Sequence, residues 1–229
     1  MRRDFRGRRI RCPHPRRYSD ARMPGGLRFE PCRRNSCVVC AAEKALTLAR
    51  AISLSQLCQT GVVTLPSFED RRDAGRRLRR GTNEAFRRLH QQRGLLVPRA
   101  SIVELSNDGR PHLHLLTREP SVPIDDFAEA CARSGMGWSS IQPVRGPAIG
   151  LGRYVFKQIL PEFGELLVAD SQALTSFLEL NGNRLINTRN DFWIDHDGTI
   201  LDGSVEAMKA ARRHRRRQVL RDDRRKGVL

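Results

Sequence analysis

Apolar side chains recur at helical intervals through the run AAEKALTLARAISLSQLCQ, from Ala41 to about Gln59, and with its strong helix formers this predicts an amphipathic helix closed by Gly61. The period then changes. Val62-Val63-Thr64-Leu65 reads as a short β-branched strand stopped by Pro66. Residues 67–93 return to helical spacing, with Phe86 and Leu89 turned inward and the arginines toward water. Two apolar-rich runs, Ala100–Leu105 and His112–Thr117, flank Ser-Asn-Asp-Gly-Arg-Pro, which is a hairpin signal. Further helices are expected over 124–134, from Gly150 through Tyr154 and Lys157, over 170–180, and from about 204, where the helix is charged. A short strand is expected near Ser140–Val144, and a short strand or loop over 183–194. Residues 1–36, rich in Arg, Pro and Gly without a sustained period, read as extended or looped chain whose order needs an external staple. Strands and helices mix and the strands are joined by a hairpin. The predicted class is therefore α+β, an antiparallel sheet with packed helices and no internal repeat.

Length and composition add a modest core with basic ends. The chain has 229 residues, 39% hydrophobic and 6% aromatic, enough for one domain with long solvated segments. Its net charge of +17 is unevenly spread. Residues 1–50 carry 14 basic and 4 acidic side chains and 204–229 carry 10 and 3, whereas 51–203 carry 18 of each. This divides the chain into a basic arm (1–50), a neutral central domain (51–203) and a basic tail (204–229). Two basic arms around a neutral core suit a polyanion-binding protein, because each arginine on a phosphate releases counterions. The competing explanation is a biased genome, since 38 of the 42 basic residues are Arg. No stretch approaches the ~20 apolar residues of a membrane span, and MRRDFRGRRI lacks the apolar run of a signal peptide. A cytoplasmic location is expected, in which six cysteines serve as metal ligands or packed thiols rather than as disulfides.

The candidate chemistry begins at Pro111-His112-Leu113-His114-Leu115. Side chains alternate across a strand, so His112 and His114 share one face, about 7 Å apart along it. His-x-His alone also describes two half-buried histidines on a solvent-facing strand. Glu104 on the partner strand changes the balance. With a three-residue loop, Asn107-Asp108-Gly109, and Gly109 left-handed, Ser106 pairs with Arg110 and Glu104 with His112, which brings the carboxylate to the histidine face. A two-residue Asp-Gly turn would place Glu104 opposite Leu113, on the wrong side. A His/His/carboxylate set with open positions suits a divalent ion that polarises a phosphate, with Mg²⁺ or Mn²⁺ favoured over zinc for that chemistry.

Downstream, Leu151-Gly152-Arg153-Tyr154-Val155-Phe156-Lys157 places a tyrosine and a lysine three apart, on one face of the predicted helix. A tyrosine oxygen can attack a metal-polarised phosphate, and a nearby lysine offsets the developing charge. A core tyrosine is the plainer alternative. Thr64 within Val62–Leu65, His112-Leu113-His114, and Leu-x-x-Tyr-Val-x-Lys at 151–157 together resemble, in order and spacing, the three successive motifs of rolling-circle replication initiators of the HUH endonuclease superfamily, over roughly residues 60–160. The resemblance implies a five-stranded antiparallel sheet with flanking helices and a cation on His112, His114 and an acidic ligand, Glu104. It further implies Tyr154 as nucleophile supported by Lys157, single-stranded origin DNA nicked to a 5′-phosphotyrosine and a free 3′-hydroxyl, and host helicase and polymerase as partners, because no helicase segment follows the tyrosine. Many relatives have a second tyrosine after the lysine. Here that position is Gln158, which disfavours two-tyrosine strand transfer.

Cys32-x4-Cys37-x2-Cys40, with Cys12 or neighbouring His14 as a remote fourth ligand, has the makings of a closed zinc site that staples the arm. Similar clusters precede the first catalytic strand in many phage and plasmid initiators. Cys58 and Cys131 are expected on apolar helix faces in the core. Arg153, Arg184, Arg189 and Trp193 are candidate DNA contacts, the last three in a segment that mixes planar and cationic side chains. Two other functions fit the same residues: a single-tyrosine HUH transposase or relaxase, and a non-catalytic zinc-containing nucleic-acid-binding protein.

Overall fold

The computed structural model describes residues 12, 16–19, 27–30, 32, 34–145, 150–160 and 171–194. The expected basic tail helix and His14 lie outside them. At the centre is a five-stranded antiparallel sheet of β3 (Gln59–Thr64), β4 (Arg99–Leu105), β5 (Pro111–Thr117), β6 (Ser139–Pro143) and β7 (Asn187–Arg189), in the order β6-β3-β5-β4-β7. A separate two-stranded ribbon, β1 (Arg16–Ser19) with β2 (Leu27–Glu30), occupies part of the arm expected to be looped. The class is α+β.

Alternation along the strands sorts the core into two layers. Val63, Val103, Leu113, Leu115 and Ile141 point to one face, where α2 (Arg71–Arg93) and α3 (Ile124–Arg133) bury Leu78, Phe86, Leu89 and Phe127 against them. Ala100, Ile102 and Leu116 point to the other, under α1 (Val38–Leu54), the segment 155–160 and α5 (Ser171–Leu180). Helix α2 starts where the Asp70 carboxylate accepts from the Asp73 amide at 2.7 Å, and it stops at left-handed Gly94.

Three local differences from the sequence pattern have identifiable causes. Helix α1 ends at Leu54 rather than near Gln59, because Ser55 turns extended and its hydroxyl donates to the Ile52 carbonyl at 2.7 Å. Gly61 therefore lies inside β3, opposite Leu115, and Cys58 sits at the strand's entrance rather than on a helix. The expected boundary at residue 50 falls within α1, whose alanines and Leu48 belong to the sheet's core and tie the arm to the central domain.

A carboxylate, two histidines and a tyrosine at one end of the sheet

The hairpin between β4 and β5 has the three-residue loop. Gly109 is left-handed at φ 78, its amide donates to the Ser106 carbonyl at 2.8 Å, and the Ser106 amide donates to the Arg110 carbonyl at 2.9 Å. Glu104 is accordingly opposite His112, and His112 opposite Thr64 on β3. The Nε2 atoms of His112 and His114 face each other at 3.1 Å, and His114 Nε2 lies 3.1 Å from Glu104 Oε2. Glu104 is 0% exposed and its Oε1 has no hydrogen-bond partner. A fully buried carboxylate with an unused oxygen is costly unless a cation answers it. Burial first, and the neighbouring His114 second, lower the pKa of His112 and so favour the neutral imidazole that a metal binds.

Tyr154 comes to this trio from the helical layer that covers the same face of the sheet. It closes α4 (Leu151–Tyr154), which lies directly on α1: a side chain on Gly152 would meet the Ala49 carbonyl oxygen at 1.9 Å. Val155, Phe156, Ile159 and Leu160 then anchor the following turns in the core. Gln158 donates to the Leu105 carbonyl at 2.6 Å and pins the segment to the end of β4 beside Glu104. The Tyr154 ring stands edge-on to His114 at 5.3 Å, yet the residue is 48% exposed. Lys157 belongs to the turn after α4, so the pairing with Tyr154 arises from a turn and not from a helix face. Its ammonium lies 3.9 Å from the Tyr154 ring centroid and 3.4 Å from Glu104 Oε2. Burial alone would lower the Lys157 pKa, but Glu104 and Tyr154 outweigh it and raise the value, holding the side chain charged.

Protein-family models, curated proteins and solved structures contain no match to this chain. The geometry therefore carries the functional argument by itself.

The second cluster is at the foot of α1. The β1–β2 ribbon brings Cys12 and Cys32 to Cys37, which caps α1, and Cys40 in its first turn. All four are buried and their sulfurs lie within 4.8 Å of one another, with Cys12–Cys37 and Cys32–Cys40 both at 3.7 Å. Tetrahedral Zn–S bonds of about 2.3 Å require sulfurs about 3.8 Å apart, so the four thiols fit a zinc ion. The start of α1 adds a favourable dipole for thiolates. Burial raises the Cys37 pKa above the usual thiol value.

The remaining candidates divide. Arg153 is half-buried beside Tyr154, and Arg184 and Arg189 are exposed. Trp193 is 1% exposed, packed edge-on against Phe192 in the core, and offers no face to a base; its assignment as a DNA contact is corrected. Trp138 went unnoticed in the sequence and is 65% exposed. Its carbonyl accepts from both the amide and the hydroxyl of Thr64, each at 2.9 Å, which places it at the end of the cross-strand row Glu104, His112, Thr64. Cys131 is a core thiol, with its pKa pushed up to about 11 by burial.

Proposed function

We propose that the chain is a metal-dependent DNA-nicking enzyme of the HUH type, a rolling-circle replication initiator whose single nucleophile is Tyr154. The observation that carries this reading is the convergence of Glu104, His112 and His114 with an exposed tyrosine 5.3 Å from His114 and a lysine over its ring. Neither of the plainer alternatives, solvent-facing histidines or a core tyrosine, predicts that convergence. His114 Nε2 lies 3.1 Å from both His112 Nε2 and Glu104 Oε2, close to the edge of about 3.0 Å between ligands with bonds of about 2.1 Å at right angles, so these three residues could hold Mg²⁺ or Mn²⁺. When bound, such an ion supplies Lewis-acid polarisation of the scissile phosphate.

The residues themselves do the following. Tyr154 Oη attacks phosphorus, a P–O bond to tyrosine forms, and the P–O3′ bond breaks in line. The phenolic proton goes to solvent and the departing 3′ oxygen takes one up, leaving a 3′-hydroxyl to prime synthesis. Lys157 offsets negative charge at the attacking oxygen and, through Glu104, keeps the tyrosine turn against the sheet. Gln158 in place of a second tyrosine limits each active site to one covalent link. The zinc-stapled arm and the basic tail would hold origin DNA, with unwinding and synthesis left to host proteins.

The test is incubation with pooled labelled single strands, with and without Mn²⁺, followed by denaturing gels. A metal-dependent protein–DNA band, absent in Tyr154→Phe although that variant still binds DNA, is the expected outcome. Cleavage retained in Tyr154→Phe would remove the nucleophile. Tight binding with no adduct on any strand would favour a non-catalytic nucleic-acid-binding protein, and joining of hairpin ends would favour a transposase.

A further inference from the structure

Along the edge of the sheet farthest from β6, the chain on either side of β7 closes a cleft against α1 and α2. The cavity is about 770 Å³, within the range of small-ligand sites. Lys44 of α1, Arg79 of α2, Arg184 before β7 and Arg189 at its end line it, and Asp191 is the one acidic residue in its wall among the described residues. Composition does not account for this, since residues 51–203 are neutral overall. The cations crowd one another. Burial and then the Arg184 and Arg76 charges lower the Arg79 pKa, and just beneath, burial and then Arg189 push Arg99 to about 10. Arg184 and Arg189 make no ion pair among the described residues. Like charges held this closely are favourable only when an anion lies between them.

The wall is also fixed in advance. Asn181 is fully buried and holds the free edge of β4 by both amide atoms, accepting from the Val103 amide at 2.9 Å and donating to its carbonyl at 2.7 Å. Asn35 donates to the Asn183 carbonyl at 2.9 Å, and Asn190 to the Val97 carbonyl at 3.0 Å. Gly182, Asn183, Asn190 and Asp191 all have positive φ, between 53 and 61, so left-handed backbone flanks the cleft on both sides of β7. Asn187, in the same wall, has a buried amide nitrogen with no partner. A rigid concave surface with two exposed arginines, Arg184 and Arg189, that make no ion pair among the described residues, and an idle Asn187 amide donor, is built for oxyanions.

We infer that this cleft binds the phosphodiester backbone of a single nucleic-acid strand, at a site separate from Tyr154. None of its lining residues belongs to the trio or the tyrosine turn. Ser101, its contribution from β4, is three residues from Glu104, about 10 Å along the strand, and points to the opposite face of the sheet. At about 770 Å³ the cavity is too small for a duplex, and the Asn187 amide, unlike those of Asn35, Asn181 and Asn190, is left to hydrogen-bond a strand. This inference does not depend on nicking, because the cleft would hold a strand whether or not Tyr154 reacts.

The experiment uses the full chain as Tyr154→Phe without divalent cations, so cleavage plays no part. Anisotropy of a labelled strand of about 12 nucleotides is followed across a salt series. Arg184→Ala/Arg189→Ala in that background should weaken binding about tenfold and reduce the log–log salt slope by about 1.4, two phosphate contacts at about 0.7 each. Arg87→Ala/Arg133→Ala removes two exposed arginines elsewhere and should leave the slope unchanged. Equal effects of the two pairs, or no binding by the parent, would overturn the assignment. Displacement of the strand by a deoxynucleoside triphosphate or inorganic phosphate at micromolar concentration would also overturn it, giving the cleft to a free phosphate-bearing ligand.

Discussion

The chain holds two ligand clusters that differ in every respect bearing on function. The cysteine cluster is closed: four buried soft ligands, Cys12, Cys32 and the Cys37–Cys40 pair at the start of α1, whose sulfurs lie within 4.8 Å of one another. The carboxylate–histidine cluster is half open. It has three ligands, one fully buried and one half-exposed, on a single rigid hairpin, and on its open side an exposed tyrosine and a charged lysine are held by a different layer. Four ligands that fill a coordination sphere leave room only for stapling. Three ligands with a free side leave room for a substrate oxygen. The first site can staple the β1–β2 ribbon to the foot of α1, and the second is the one on which the proposed nicking rests.

The contrast can be broken by exchanging the effects of substitution. Cys37→Ser should release zinc, lower the melting temperature and expose the arm to protease, since structural zinc binding supplies on the order of 10 kcal/mol of folding free energy in small modules. Zinc content and thermal melts measure this, and an unchanged melt would mean the cluster staples nothing. His112→Ala should do the opposite, leaving zinc content and melting nearly intact while metal-dependent nicking falls about 10³-fold, equivalent to roughly 4 kcal/mol of lost transition-state stabilisation. Loss of fold in that variant would make the histidines structural.

Smaller effects sharpen the open side. Lys157→Ala should reduce nicking about 10²-fold, the scale of one lost charge-stabilising donor, with single-strand binding little changed. Trp138→Ala should weaken single-strand binding by about 1–3 kcal/mol if a base stacks there. Because Trp193 is buried, Trp138 fluorescence would report the contact directly, and unquenched emission at saturating DNA would exclude it.

Much of this site was legible because it rests on local chemistry. The Asn-Asp-Gly loop needs one left-handed glycine, and that alone places Glu104 opposite His112. Cysteine spacing brought Cys32, Cys37 and Cys40 together, and Cys12 completes the set. What the pattern concealed depends on tertiary closure. Strands β1 and β2, RRYS and LRFE, show no sustained apolar alternation by which the sequence could reveal them. Trp193 closely follows Arg189, Asn190 and Asp191 and looks like part of a surface segment, yet it packs under the sheet beside Phe192. Trp138 lies in a Gly-rich stretch where nothing local reveals exposure, and only its hydrogen bonds to Thr64 place it in the histidine row. Lys157 reached Tyr154 through a turn whose buried Val155, Phe156 and Ile159 override the helical spacing.

The most direct measurement is to digest the covalent adduct formed with Mn²⁺ and a cleaved strand and to locate the nucleotide mass by tandem mass spectrometry. The account predicts a 5′-phosphonucleotide on the peptide containing Tyr154 and on no other. Attachment to Tyr18, to a serine or to a histidine, or a cleaved strand bearing no protein, would contradict it.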